Sequence, residues 1–188
     1  MSEYEKIQKL AIDAGIIAVP KAAPLAMYLR NHFVVECRDN EGNLKWVDEF
    51  DNLVVNAGLD DSLDKHLKGS TYTAAWYVGL TDGTPTFAPG DTMGSHAGWV
   101  EVTDYDEATR EVLTLGAVSG QSVNNSASKA SFAINSSVTV GGAFVTSVNT
   151  KGGGTGILYG GGAFTGGDRS VVSGDTLNVT VTCTAAAS

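Results

Sequence analysis

The chain has 188 residues, with 21 acidic against 12 basic side chains and a formal net charge of −9. That sign repels a phosphate backbone and argues against nucleic-acid binding as the main task. At 43% hydrophobic and 18% charged, with 23 glycines, the composition predicts a turn-rich folded chain, long enough for one domain with its own core.

Ser2 and Glu5 have the spacing of a capping box, and Ile7, Leu10, Ala11 and Ala14 recur on one helical face before Gly15. Ile16, Ile17, Val19, Leu25 and Met27 continue as an apolar stretch interrupted by Pro20 and Pro24. A helix this short is marginal in water unless its apolar side is packed. Residues 1–31 are therefore expected to form a helical and extended arm, which either folds back on its own domain or clasps another subunit. Residues 32–188 are expected to form the body. Phe33–Arg38 and Leu44–Val47 flank Asp39-Asn40-Glu41-Gly42-Asn43, the pattern of a β-hairpin with a glycine-containing turn.

A short helix is predicted next, with Asn56 as its cap, Asp60 and Asp61 near its positive end, and Lys65, His66 and Lys68 near its negative end. Leu59, Leu63 and Leu67 would be its buried stripe, and Gly69 its stop. Beyond it, strands are predicted at Tyr72–Leu80, Trp99–Thr103, Glu111–Leu115, Lys129–Asn135, Gly142–Val148, Gly156–Leu158 and Thr176–Thr184, separated by glycine, asparagine, aspartate and proline turns. Leu177, Val179, Val181 and Cys183 alternate with Asn178, Thr180 and Thr182, the period of a strand with one buried face. Many short strands with few helices predict a mainly β protein: a β-sandwich, jelly-roll-like, with one short helix and an N-terminal arm.

Charge is uneven along the chain. From Gly116 onward three basic side chains stand against two acidic ones, so the first 115 residues carry −10. A long, nearly neutral Gly/Ser/Thr/Val surface is either a sandwich with polar exposed rows or one partly covered by neighbours. Cys37 and Cys183 have no metal-ligand spacing and would pair only if their strands were adjacent. No apolar run reaches the length of a membrane span, and the first residues lack a signal-peptide pattern, so synthesis in the cytoplasm is expected.

Residues for catalysis are sparse. There is no G-x-S-x-G, and Ser95-His96 are sequence neighbours in a glycine-rich loop, which says little about triad geometry. His32, His66 and His96 are widely spaced and form no zinc pattern. Asp104, Asp106 and Glu107, with Asp82 and Asp91 in the preceding loop, carry oxygens suited to calcium, but the EF-hand order is absent and solvated acidic turns are common. In Lys151-Gly152-Gly153-Gly154-Thr155-Gly156 the lysine precedes the glycines, so a flexible hairpin tip is expected instead of a phosphate loop. No catalytic residue, cofactor or metal is assigned. Trp46, Trp76, Tyr77 and Trp99 are core anchors, interface anchors or sugar-stacking rings. Gly160-Gly161-Gly162, between Tyr159 and Phe164, would admit a close neighbouring backbone. The candidate interface residues are thus Ile7, Leu10, Ile16, Ile17, Val19, Leu25, Met27, Tyr159 and Phe164.

Phe50-Asp51-Asn52-Leu53-Val54-Val55-Asn56-Ala57-Gly58-Leu59, then Trp76-Tyr77-Val78-Gly79-Leu80-Thr81-Asp82-Gly83 and Gly90-Asp91-Thr92-Met93, resemble small virion proteins of tailed double-stranded DNA bacteriophages. Trp99-Val100-Glu101-Val102 and Leu177-Asn178-Val179-Thr180-Val181 extend the resemblance, which runs from about residue 33 to the end. It is a pattern of strands and turns with no active-site signature. It implies a non-enzymatic head decoration or cement protein on the capsid surface of the virion, made in the host cytoplasm. The implied partners are the major capsid protein and copies of itself, as a dimer or trimer, with neither nucleic acid nor membrane. The N-terminal arm departs from the pattern, which leaves shell, portal and tail open. The alternatives are a tail or head-fibre component that binds host-surface glycan through residues 82–99, and a hydrolase whose acidic residues converge in a pocket.

Overall fold

Phe33, Val35 and Cys37 alternate with polar or half-buried neighbours, and in the computed structural model, which describes residues 27–72 and 75–187, they form the buried row of β1 (Met27–Arg38). The strand opens at Met27, so it takes in five residues assigned above to the arm. The hairpin to β2 (Leu44–Asp51) is made by Asp39, whose carboxylate accepts from the backbone N–H of Glu41 and Asn43 and from the Asn43 side chain. Those bonds hold the Asp39 carboxyl below its ordinary pKa. β3 (Leu53–Val54) and α1 (Asn56–His66) follow.

The remaining strands are β4 (Tyr77–Thr81), β5 (Glu101–Val102), β6 (Glu111–Val112), β7 (Ser122–Asn124), β8 (Ala130–Ala133), β9 (Val138–Val140), β10 (Gly142–Thr146), β11 (Leu158–Ala163), β12 (Arg169–Val171) and β13 (Thr176–Ala187). One sheet has the order β2-β1-β13-β7, with β8 also on β13. The second has the order β3-β11-β10-β4-β5, with β6 also on β4, and β12-β9 form a separate pair. Every pairing is antiparallel. The protein is mainly β, and its open antiparallel sheets are consistent with a β-sandwich.

The principal core lies between the two large sheets. Phe33, Val35, Leu177, Val179 and Val181 from the first meet Val78, Leu80, Ala143 and Val145 from the second. The second sheet is also covered on its other face, where Phe144 and Leu158 pack with Val55, Met93 and Trp99. β10 is consequently buried at every position. Gly79 makes this possible, since a Cβ there would overlap the Phe144 ring. A buried ion pair ties the surrounding loops together: Arg110 donates to both carboxylate oxygens of Glu101 at 2.8 and 2.7 Å, and to the carbonyls of Val148 and Gly153.

Some expectations change here and others are filled in. Gly156–Leu158 is displaced by β11, whose glycine run is itself the strand. Side chains at Gly160 and Gly162 would collide with the backbone of Leu53 and Asp51, so the close neighbour these glycines admit belongs to this chain's own fold. Cys37 and Cys183 do lie on adjacent strands, but the register sets Cys37 opposite Leu177 and Cys183 opposite Asn31. Six residues of strand, roughly 20 Å, separate them, and both are free thiols. The Lys151 loop is not a loose tip: its Nζ donates to the carbonyls of Tyr105 and Glu107 at 2.8 and 2.7 Å and sits over the Tyr105 ring.

Candidate functional site

α1 packs on β11 of the second sheet, next to the first part of β1. Its first turn is set by Val55, whose backbone carbonyl accepts from Gly58 and Leu59 while its N–H donates to the Tyr159 carbonyl of β11. Val55, not Asn56, is the N-cap residue, and it offers no side-chain bond. Gly58 is the buried contact point of the helix: a Cβ there would run into the Tyr159 carbonyl. At the other end, Asp64 accepts from Lys68 and from Ser70, which with nearby Lys65 hold its carboxyl below the ordinary value.

Because glycine makes the contact, the leucines do not. Leu59, Leu63 and Leu67 are 40, 52 and 80% exposed, which reverses the buried stripe expected from their spacing. Tyr72, Leu115 and Val118 at the same end are also exposed. Thus α1 turns an apolar face to solvent.

Beneath α1 is a cavity of about 480 Å³. Trp76, Val145 and Tyr159 wall it on the second sheet, Asn31, Val123 and Cys183 on the first, and Leu113, Leu115 and Val118 on the connecting loop. Asp61, Ser62, Lys65 and His66 of α1 form the polar side, with Tyr72 at the rim. The Trp76 and Tyr159 rings meet edge to face at 5.2 Å. The Tyr159 hydroxyl lies 3.4 Å from Ser62 Oγ, and Tyr72 is held by His66 Nδ1 at 3.0 Å. Burial pushes the Tyr159 phenol up and the Cys183 thiol up to about 11.

Asn31 is the unusual wall residue. It occupies the inward row of β1, where Phe33 and Val35 follow, and is only 1% exposed. Its backbone exchanges hydrogen bonds with Asn52, but its side-chain Nδ2 has no partner. An unsatisfied buried donor costs about 1–3 kcal/mol, which the fold bears at this position. The cavity is apolar on its sheet and loop walls and polar along α1. Its one hydroxyl–imidazole contact among the described residues is the exposed Tyr72–His66 pair at the rim.

The residues considered for chemistry serve the fold. His96 stacks on Trp99 at 3.6 Å and bonds the Trp99 carbonyl, while Ser95 bridges Thr92. Asp82, Asp91 and Glu107 accept from backbone N–H groups of Val100, Ala88 and Ala133, and Asp104 accepts from Ser136. Among the described residues, no three His, Cys, Asp or Glu side chains gather to hold a metal ion. No described helix is long and apolar enough to cross a membrane.

Of the candidate interface residues, Ile7, Leu10, Ile16, Ile17, Val19 and Leu25 lie outside the described residues. Met27 opens β1 opposite Ala187, and Tyr159 is in the cavity wall. Phe164 is 5% exposed between Phe50 and Trp46, so it is core and offers no contact surface. The sequence reading did not bring together Asn31, Leu113, Val118, Val123 and Cys183. One signal was present: an asparagine at an inward position of an otherwise apolar strand row.

No family model matches the chain, and neither does any curated protein.

Proposed function

We infer that the protein is a non-enzymatic structural component of a tailed-phage virion, a decoration or cement protein whose jelly-roll-like sandwich binds the assembled head lattice. The observation that carries this reading is the exposed Leu59, Leu63 and Leu67 face. Exposed apolar side chains grouped on one helix face of a free protein mark a contact site, and the chain from Gly116 onward is nearly neutral and rich in Gly, Ser and Thr. The motif resemblance described above supplies the partner class: major capsid protein, together with further copies of this chain.

Such a protein works by mass action. A ligand that binds only the assembled shell stabilises it by RT ln(1 + [L]/Kd), about 2.7 kcal/mol per site at a hundredfold excess over Kd. Repeated across a lattice, that opposes rupture without any catalytic group. The glycan-binding alternative has less behind it, because Trp99 in the 82–99 loop is enclosed by His96, Phe87 and Phe144 and offers no open stacking face.

The test compares particles made with and without the chain. Both should assemble, and those lacking it should rupture at lower temperature. Equal melting of the two, or failure to find the chain in particles by mass spectrometry, would refute the clamp.

A further inference from the structure

α1 carries its charges in two blocks. Asp60, Asp61 and Asp64 come first, and Lys65, His66 and Lys68 follow at or just beyond its end. The exposed side of the helix shares this polarity. Leu59, Leu63 and Leu67 recur at four-residue spacing, and Asp60, Asp64 and Lys68, each one residue on, form the neighbouring row. Asp60 is exposed at the start of that row and Lys68, whose side chain is 77% exposed, at its end. The helix is held from behind, where the Val55 N–H donates to the Tyr159 carbonyl and Gly58 sits too close to that carbonyl to carry a side chain.

Such a pattern is its own complement in one direction only. Laid antiparallel on a second copy about a two-fold axis at Leu63, the leucine row sets Leu59 against Leu67 of the other molecule and Leu63 against its own counterpart. Asp60 of each molecule then meets Lys68 of the other, at both ends of the contact. Laid parallel, aspartates would face aspartates, lysines would face lysines, and the like ends of the two helix dipoles would lie together.

We propose that the Leu59, Leu63 and Leu67 face pairs with the same face of a second copy in an antiparallel two-fold dimer, closed at each end by Asp60 and Lys68 of opposite molecules. The proposal rests on the reading of this face as a contact surface, and it narrows the occupant from capsid protein or further copies to a second copy of this chain. Two 11-residue helices make a contact at the small end of specific interfaces, so the dimer is expected to be in reversible equilibrium with monomer.

The experiment follows sedimentation equilibrium of the full chain. Asp60→Lys should weaken dimerisation about tenfold or more, since lysines then oppose each other at both ends, and Lys68→Asp should do likewise. The double variant Asp60→Lys with Lys68→Asp restores opposite charges at both ends, keeps a lysine four residues from Asp64, and should recover dimerisation to within about threefold. Separately, Leu63→Cys under mild oxidation should give a dimer linked through residue 63, identified by mass spectrometry. Leu59→Cys, which the axis holds away from its own counterpart, should link at least about tenfold more slowly. A wild-type chain that stays monomeric up to its solubility limit would overturn the proposal, as would a double variant no better than the single ones, or equal linkage through residues 59 and 63. A dimer of this kind formed by a chain absent from particles supports the proposal and sinks the virion reading, whereas a monomer that binds heads through these leucines does the reverse.

Discussion

Replacing Leu59, Leu63 and Leu67 together with glutamine should leave the isolated protein nearly as stable as before and weaken its association with partners. Glutamine has almost the helix propensity of leucine, so α1 itself is not penalised. The three residues leave the equivalent of somewhat less than two leucines in solvent. A fully buried leucine is worth about 1.5–3 kcal/mol, so covering them contributes about 3–5 kcal/mol to an interface before ordering costs. Their loss should weaken binding by about 10²–10³-fold. Urea unfolding measures the first quantity, with an expected change below about 1 kcal/mol. Sedimentation across a concentration series measures self-association, and co-sedimentation with heads measures lattice binding. A stability loss above about 4 kcal/mol would show that the leucines are packed in the free protein, and the exposed-face reasoning would fall. Unchanged binding would remove the helix face from the interface.

Two further perturbations test other parts of the structure. Arg110→Met should cost about 3–5 kcal/mol in urea unfolding, because it leaves the Glu101 carboxylate buried without its cation. Adding Glu101→Leu should recover much of that loss, whereas a single-variant cost under about 1 kcal/mol would show the pair to be dispensable. For Cys183, whose thiol is pushed up to about 11 from an ordinary 9.0, the thiolate at pH 8 should be about 100-fold scarcer than in an unfolded chain. Iodoacetamide labelling should therefore climb about tenfold per pH unit up to pH 10. The folded value is raised, so the thiol's stabilisation is complete below pH 9 and is lost as pH rises towards 11. Fast labelling at pH 7.5 would contradict this.

Local chemistry made parts of the fold legible in advance. Asp39 announces the first hairpin because its short carboxylate can cap the turn, and the alternation through Leu177, Val179 and Val181 survives intact in β13. Other parts depend on what lies opposite. The spacing of Leu59, Leu63 and Leu67 shows that they share a helix face, but which face is covered was decided by Gly58, the one place where helix and strand backbones come close enough to touch. β7, β9 and β12 have three residues each, too few to show a period. The cavity was hidden for a similar reason: Asn31, Val118 and Cys183 come from distant stretches of sequence and meet only in the folded chain.

The pairing of β1 with β13 along its whole length has a consequence for biosynthesis. Strands about 140 residues apart in the chain sit side by side, with β13 as the hub on which β7 and β8 also depend. A ribosome will have released β1 and β2 long before their central neighbour exists, leaving a twelve-residue strand with an unpaired flank. The first sheet can close only after residue 187 has been made, so maturation is expected to be slow and late, with an early hairpin that needs shielding from its own kind.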